Sequence, residues 1–282
     1  MTNFATPEQL NAIVDFVHTR NNQPRFYSGF MSLEKSRIQK DIKAAIDAKS
    51  VLIAEENGLL GVLITHTDHD QKTCDIAGPY VAEDDLGVGK ALVERWIQHR
   101  AHNLTLQFFF SRQSDYYHAL MKQIDATYQG DETILTLSKE DYRSDGERAE
   151  VSPMQAHQRE AVKRLHNTTF PGVYITGDDI IAAIENTDVY VLTQNDGVIG
   201  YGLVKHQGST TILEVFAIDA AYRGQGRAKP FISRIIDAVF NKEGVNKVQL
   251  VVENVNRTAL NLYTAIGFIV SRENCAYHRK AK

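Results

Sequence analysis

The sequence contains the same arrangement of apolar runs and turns twice. Residues 50–66 read SVLIAEENGLLGVLITH and residues 188–206 read DVYVLTQNDGVIGYGLVKH, so each segment has two apolar runs separated by a turn. The turn residues, Asn57-Gly58 and Asp196-Gly197, readily take the positive φ angles of a β-hairpin. A Gly-x-Gly motif follows 29 residues after Gly58, and another follows 27 residues after Gly197. Self-similarity at this spacing predicts two domains of one fold in tandem.

Each Gly-x-Gly motif is followed by a helical pattern and then by a strand, predicted near Leu104–Phe110 in the first copy and Lys247–Val252 in the second. We therefore expect an α/β (α+β) chain of two tandem domains, each with a mixed, mostly antiparallel sheet flanked by helices. The polar stretch SKEDYRSDGERAE, residues 138–150, favours a boundary at that point. The predicted domains are residues 1–143 and residues 150–282.

Composition excludes several classes of protein. A chain of 282 residues is long enough for about two domains, and its net charge of −4 argues against nucleic-acid binding. No apolar run approaches the roughly 20 residues of a membrane span, and the first residues lack a signal-peptide pattern, so we expect a cytoplasmic protein without a membrane partner. Cys74 and Cys275 are far apart, as expected for reduced thiols. His66, His69 and Asp70 resemble a polar turn after a strand, so no metal site is expected.

The second Gly-x-Gly motif lies in YRGQGRAKP, residues 222–230, between a strand-like run and a helix-like run. Pro230 falls in the first turn of the helix, where a missing N–H does no harm. The glycines therefore lie at a helix N-terminus, whose N–H groups and dipole favour a phosphate or another anion. Apolar residues at three- and four-residue spacing give the helix one stripe that packs on a sheet. These residues are Phe231, Ile232, Ile235, Ile236, Val239 and Phe240.

Two common phosphate-binding motifs do not fit. A dinucleotide-binding fingerprint needs a third glycine, and Lys229 stands in its place. A Walker A loop needs a glycine five residues before Gly-Lys-Ser/Thr. Gly89-Lys90 has Asp84 at that position, and Ala91 replaces the hydroxyl residue.

The glycine turn resembles the acetyl-CoA-binding turn of the GNAT superfamily of N-acetyltransferases. That family's pattern, Arg/Gln-x-x-Gly-x-Gly/Ala, is met by Arg223, Gly226 and Ala228. Residues 254–268, NVNRTALNLYTAIGF, are similar to the family's Asn-x-x-Ala-x-x-x-Tyr followed by Gly-Phe. The two motifs occur in the family's order, with 37 residues from Gly226 to Tyr263. A structural turn and a core tyrosine are the alternative interpretation.

The resemblance implies acetyl-CoA as co-substrate. In the family, backbone N–H groups of the turn hold the pyrophosphate, and the preceding strand edge pairs with the pantetheine arm. Arg223, Arg227 and Lys229 would add positive charge, unless they are surface residues flanking a turn. Asn256 would lie near the pantetheine and would also cap the last helix. The implied cofactor-binding residues are Phe216, Ala217, Ile218, Arg223, Gly224, Gln225, Gly226, Arg227, Ala228, Lys229 and Asn256.

The resemblance also implies two catalytic residues. In the family, the tyrosine at the position of Tyr263 lies beside the thioester sulfur, where a phenol can donate a proton to the leaving thiolate. Tyr263 also belongs to an apolar helical stripe, so packing is the alternative interpretation. Glu214 lies on the face of Phe216 and Ile218 by period two, where many family members place the base that deprotonates the amine. An exposed strand edge or a salt bridge is the alternative for Glu214.

The first copy departs from this pattern. Its segment DDLGVGKAL keeps Gly87 and Gly89 but places Leu86 at the arginine position, and no Tyr-x-x-x-Gly-Phe follows. Leu120 is the approximate counterpart of Tyr263. We expect the first copy to have kept the fold and lost the chemistry, and to shape the substrate cleft or brace the second domain.

The resemblance therefore implies transfer of an acetyl group from acetyl-CoA to a primary amine of a small molecule or peptide, with the C-terminal domain active. A non-catalytic CoA-binding or sensor protein is the alternative of another class. Acylation of the amine of a thiol cofactor is a narrower enzymatic alternative. The loop at residues 170–177 and the other domain would select the acceptor.

Overall fold

A computed structural model describes residues 2–100, 103–144, 146, 149–173, 175–182 and 186–281. Residues 145, 147 and 148, which belong to the predicted boundary segment, lie outside this description. The described residues form two compact units. One contains the residues up to 132 together with those from 273 onward, and the other contains residues 133–272.

The first unit begins with a short strand and two helices that precede its main strands. Its elements in chain order are β1 (Thr2–Phe4), α1 (Leu10–Asn21), α2 (Lys35–Asp47), β2 (Val51–Glu55), β3 (Leu59–Asp68), β4 (Thr73–Val81), α3 (Leu86–Arg100), β5 (Thr105–Ser111), α4 (Asp115–Gln123) and β6 (Thr127–Ser138). The strands pair in the order β1-β2-β3-β4-β5. Every pair is antiparallel except β4–β5, which is parallel because α3 crosses between these strands.

The second unit repeats this order of elements. They are β7 (Val151–Pro153), α5 (Arg159–Thr169), α6 (Gly177–Ile181), β8 (Thr187–Gln194), β9 (Gly197–Gln207), β10 (Thr210–Ile218), α7 (Ala228–Phe240), β11 (Lys247–Glu253), α8 (Arg257–Ile266) and β12 (Ile269–Lys280). None of the helices among the described residues combines the length and the apolar character needed to cross a membrane.

Helices cover both faces of the sheet in the second unit. Its strands pair in the order β6-β11-β10-β9-β8-β7. The pair β10–β11 is parallel, and the pairs β9–β10, β8–β9 and β7–β8 are antiparallel. Phe216 and Ile218 of β10 pack in a cluster with α7 and α8. Ala217, between them, packs in a cluster with α5 and α6. Because successive side chains of a strand point to opposite faces, the two helix pairs lie on opposite sides of the sheet.

Most of the predicted local structure is confirmed, but the second hairpin turn is displaced by one residue. Gln194 pairs with Gly197, so Gly197 begins β9 instead of occupying the turn. The loop residues are Asn195 and Asp196, with φ angles of 49° and 63°. Asn and Asp tolerate this left-handed conformation because their short side chains can hydrogen-bond to the nearby backbone. The strand pairing therefore decides which of the turn-forming residues make the turn.

The strands β6 and β12 each end outside the unit in which they begin. Residues 274–280 of β12 pair antiparallel with β5, so the end of the chain groups with the first unit. Residues 133–138 of β6 group with the second. The predicted division into 1–143 and 150–282 follows sequence order, which cannot reveal that Cys275 pairs with Phe110. Where independently folding domains would divide stays a prediction.

Candidate active site

The parallel strands β10 and β11 separate part-way along their length. They pair over residues 210–212 and 247–249, although both strands continue. On the other side of β10, the register with β9 shifts between Leu213 and Val215, which makes Glu214 the extra residue of a β-bulge. A bulge bends its strand and increases the local twist. Beyond it, the β10 backbone faces a widening gap instead of β11.

The turn between β10 and α7 contains two glycines that its conformation requires. Gly224 and Gly226 have φ angles of +72° and +74°, a region that other residues rarely adopt. A Cβ atom on either glycine would meet no atom within 4 Å, so the space beside the turn is open. Phe231 N donates to Arg227 O at 3.2 Å. The N–H groups at the start of a helix have no acceptor within it, so this turn presents backbone donors to open space.

The gap between β10 and β11 opens into a cleft of about 970 Å³. Its walls come from both strands, the glycine turn, α8, and the end of α5 with the segment that follows. Gln225 alone among the predicted site residues is not part of the wall; its side chain donates to Ala221 O and accepts from Arg227 Nε, which braces the turn. The predicted residues in the wall are Glu214, Phe216, Ala217, Ile218, Arg223, Gly224, Gly226, Arg227, Ala228, Lys229, Asn256 and Tyr263. Their roles stay predictions.

Positive charge is concentrated at the glycine-turn end of the cleft. Arg223 Nε donates to Ile218 O at 2.7 Å, which ties this side chain to the end of β10. The Arg227 guanidinium lies 5.7 Å from the centroid of the Tyr222 ring. Lys229, in the first turn of α7, adds a further cation to the wall. These cations and the helix N-terminus suit a phosphate-bearing ligand.

Tyr263 is held in the cleft wall by α8. Asn256 caps this helix as predicted, because its Oδ1 accepts from Ala259 N at 3.1 Å. The helix ends at Gly267, with φ +110°, and Phe268 packs edge-on against the Tyr263 ring with 5.6 Å between centroids. Tyr263 is 8% exposed, and burial raises its pKa to about 12. Its hydroxyl therefore keeps its proton throughout the neutral pH range.

Two carboxylates line the cleft, Glu214 at the bulge and Glu253 at the end of β11. Glu214 is partly buried, so a fully exposed strand edge does not describe it. The bulge also interrupts the period-two pattern that the sequence suggested. Leu213 packs in the same cluster as Phe216 and Ile218, with Glu214 inserted between them. Bulges often re-aim a side chain next to a functional site.

His166 lines the cleft and was not singled out from the sequence. It lies on α5, four residues after the buried Val162, and is 1% exposed. Its Nδ1 is 2.5 Å from Tyr201 Oη, and its Nε2 is 2.7 Å from Ile175 O. A histidine on the apolar face of a helix was the available signal. That signal does not distinguish a structural histidine from a functional one.

The matching turn of the first unit is capped by its own carboxylate. At the start of α3, Asp85 Oδ1 accepts from Gly87 N at 2.8 Å and from Val88 N at 3.1 Å. The Tyr116 hydroxyl lies against Gly89, where it would collide with a Cβ atom. The backbone donors that face open space in the second unit are thus already used in the first.

The gap beside β5 in the first unit is also covered by the chain itself. Pairing between β4 and β5 ends at residues 76 and 108, although β5 continues to Ser111. Gly29 N donates to Phe109 O at 2.7 Å, and Ser111 N donates to Tyr27 O at 3.2 Å. The segment before α2 therefore covers the edge of β5 that faces the gap, and β5 is the counterpart of β11 in the second unit.

Comparison with known families identifies the part of the chain that carries the cleft. Residues 159–268 match the model described as the acetyltransferase (GNAT) family. The match covers 110 of the 282 residues, so it identifies a likeness of this segment to the GNAT family. The segment contains the glycine turn and Tyr263, and it lies within the second unit.

A curated relative matches part of the chain. The protein named mycothiol acetyltransferase from Corynebacterium efficiens is 31% identical over 94 residues. The match covers 33% of this chain and 31% of that protein. The chain therefore spans about a third of the length of this relative.

Solved structures resemble the whole chain in fold. A GCN5-related N-acetyltransferase from Sphaerobacter thermophilus has a TM-score of 0.76 at 17% identity, covering 100% of this chain and 96% of that one. A tandem GNAT protein from the clavulanic acid biosynthesis pathway has a TM-score of 0.71 at 13% identity, covering 100% and 99%. These likenesses confirm the predicted fold class, a mixed α/β chain with mostly antiparallel sheets flanked by helices.

Proposed function

We propose that the second unit binds acetyl-CoA and transfers its acetyl group to the primary amine of a small molecule or peptide. The family assignment supports acetyl transfer as the reaction class. The observation that carries the proposal is the cleft between β10 and β11, which joins an open glycine turn to Tyr263.

The residues of the cleft fit acetyl-CoA as a co-substrate. Open space beside Gly224 and Gly226 would let a pyrophosphate reach the backbone N–H groups at the helix start. Arg223 and Arg227 supply positive charge at the same end. The β10 edge beyond Glu214 has backbone groups that can hydrogen-bond with an extended pantetheine arm, as an added strand would.

Tyr263 would donate a hydrogen bond to the sulfur as the thioester breaks. A thiol has a pKa near ~8.5, and the pKa of Tyr263 is about 12. Complete proton transfer from the phenol is therefore unfavourable by ~3.5 pKa units, roughly 5 kcal/mol. Hydrogen-bond donation to the developing thiolate avoids that cost. The proton that finally neutralises the thiolate comes from the amine nitrogen, which loses one proton as the amide forms.

Glu214 would pass a proton from the incoming ammonium on to solvent, directly or through a bridging water, so that the carboxylate does not keep it. An alkyl amine has a pKa near ~10, so only about one molecule in a thousand is unprotonated at pH 7. A carboxylate in the cleft provides a base for this step. Glu214 and Glu253 together also favour a cationic acceptor over an anionic one.

The first unit would contribute no second acetyl-CoA site of this kind. Asp85 occupies the N–H groups at the start of α3, and residues 27–29 occupy the edge of β5. We therefore expect one acetyl-CoA per chain.

Calorimetric titration and an amine screen test the proposal. Titration with acetyl-CoA should give about one site per chain, whereas two equivalent sites or none would contradict it. A screen of amines with acetyl-CoA should release free thiol together with an N-acetylated product, identified by mass spectrometry. Binding without thiol release for every amine class would favour the alternative, a non-catalytic CoA-binding sensor.

A further inference from the structure

The segment between α5 and α6 forms part of the cleft wall. Phe170, Val173 and Ile175 line the cleft; residue 174 lies outside the description. We call residues 170–173 and 175 the acceptor-side segment. Helix α6 begins directly after it, where Thr176 Oγ1 accepts from Asp179 N at 3.2 Å. The described residues of the segment form no helix or strand, and Phe170 N donates to His166 O at 2.8 Å, so side-chain contacts can add to this backbone bond.

His166 supplies such a contact through its ring. Ile175 O can only accept, so His166 Nε2 carries the proton and donates to it at 2.7 Å. The Nδ1 of a neutral ring then accepts from the Tyr201 hydroxyl at 2.5 Å. The ring also packs against Phe170, with 5.6 Å between centroids. One side chain therefore connects both ends of the segment to β9.

The glycine turn and the acceptor-side segment are connected to helices on opposite faces of the sheet. The glycine turn precedes α7, which covers one face, and the acceptor-side segment follows α5, which covers the other. An acetyl-CoA held at the turn would reach the gap from the α7 side. The amine would then approach the thioester from the side that the acceptor-side segment bounds.

We propose that His166 is a positioning residue: by donating to Ile175 O it holds the acceptor-side segment in the shape that binds the amine. This inference rests on the proposed function, because it assigns that wall to the amine. His166 uses both ring nitrogens for these bonds, so its role is to orient the wall and not to act as the base.

Amide hydrogen exchange tests the positioning role without any substrate. His166→Phe keeps an aromatic ring beside Phe170 but removes both hydrogen bonds. We expect exchange in the acceptor-side segment to become about 10-fold faster, as for a loss of local protection worth about 1.4 kcal/mol. His166→Gln, whose side-chain amide can still donate to Ile175 O, should restore most of the protection.

The second unit offers a matched control. His206 also uses both ring nitrogens, at 2.9 Å from Thr211 Oγ1 and 2.8 Å from Asp188 Oδ2, but it does not line the cleft. His206→Phe should leave exchange in the acceptor-side segment unchanged. If His166→Phe does not fold, Tyr201→Phe carries the test, because it removes the second bond to the His166 ring and should speed exchange by about 3-fold.

Steady-state kinetics then test the consequence for the amine. His166→Phe should raise the amine KM by about 10-fold, with the acetyl-CoA KM changed by less than about 2-fold. Unchanged exchange in both His166→Phe and Tyr201→Phe would overturn the positioning role. Faster exchange with an unchanged amine KM would overturn the acceptor assignment. If no amine is acetylated, the proposed function fails, while the exchange result still decides whether His166 holds the segment.

Discussion

Tyr263 illustrates how burial and position act together at the scale of one residue. Burial keeps its hydroxyl protonated, with a pKa of about 12, and α8 places the residue in the wall of the cleft. The sequence motif predicted the location in α8 because the Asn256 cap and the Gly267 end define the helix. The pKa could not be predicted, since it depends on burial in a cluster that also contains residues distant in the chain, such as Leu135 and Leu250.

Tyr263→Phe should lower kcat by about 10²-fold while leaving the acetyl-CoA Kd nearly unchanged. The substitution keeps the ring against Phe268 and removes only the donor. Because the phenol stays protonated up to a pH of about 12, the deficit should be equal at pH 7 and at pH 10. Tyr190 is a matched control: its pKa is also raised to about 12 by burial, but it does not line the cleft. Tyr190→Phe should retain kcat, and wild-type kcat in Tyr263→Phe at every pH would contradict the donor role.

Glu214→Gln should slow acetylation by about 10²-fold at pH 7, and the deficit should shrink as the pH rises. If Glu214 deprotonates the ammonium, raising the pH toward the amine pKa of ~10 supplies the free amine without the base. The measurement is kcat/KM for the amine between about pH 7 and pH 9.5. Glu253→Gln, which removes the other carboxylate of the cleft, should show a smaller deficit without this recovery. A constant deficit for Glu214→Gln would assign it to binding instead of proton transfer.

At the scale of elements, the turn before α7 depends on its glycines for two separate reasons. Positive φ makes any side chain there strained, and open space makes room for a ligand. The element was predictable because Gly-x-Gly before an amphipathic helix is a local pattern. The bulge at Glu214 was not, since the residues around it read as a regular strand and only the pairing with β9 reveals the insertion.

Gly226→Val should abolish acetyl-CoA binding in a calorimetric titration, because its side chain would fill the space beside the backbone donors. A matched substitution at Gly244 serves as the control for the backbone strain that a side chain causes at positive φ. Gly244 has a φ of +77°, a Cβ there would also meet nothing within 4 Å, and it lies outside the cleft wall. Gly244→Val should cost about the same stability, on the order of 1 kcal/mol or more, and bind acetyl-CoA normally. Equal binding by the two variants would show that the turn does not hold the pyrophosphate.

The chain contains the same order of helices and strands twice, but the turn after the fourth strand is capped in the first copy and open in the second. The repeat was visible because hairpin turns and Gly-x-Gly motifs are local in sequence. Two features of the first copy were not predicted from the sequence. Asp85, which caps the turn before α3, reads as an ordinary helix cap, and residues 27–29, which cover the edge of β5, are distant from β5 in the chain. The pairing of β12 with β5 is equally non-local. Patterns within about 20 residues were therefore predictable, and contacts between distant segments were not.

Burial of tyrosines gives the whole molecule a dependence on alkaline pH. Burial raises the pKa of Tyr190 and Tyr263 to about 12, and raises those of Tyr80 and Tyr117 well above the ordinary value. The unfolded chain loses its tyrosine protons near pH ~10, while the folded chain keeps those of the buried residues. Above this pH the unfolded state binds fewer protons. The contribution of these tyrosines to the free energy of unfolding is therefore fully present below pH ~10. It is lost as the pH rises from ~10 through the pKa values that the tyrosines have in the folded protein.

Tyr190→Phe should make the free energy of unfolding depend less steeply on pH in the alkaline range, because the variant has one fewer ionisable tyrosine. Between the unfolded pKa near ~10 and the folded pKa of about 12, one buried tyrosine lowers the free energy of unfolding by up to ~1.4 kcal/mol per pH unit. Urea unfolding, followed by circular dichroism at several pH values in this window, measures the slope for the wild type and the variant. The variant's slope should be less steep by up to that amount, because phenylalanine has no proton to lose in the unfolded state. Identical slopes would mean that Tyr190 ionises near pH ~10 in the folded protein as well, so that its burial does not protect the hydroxyl.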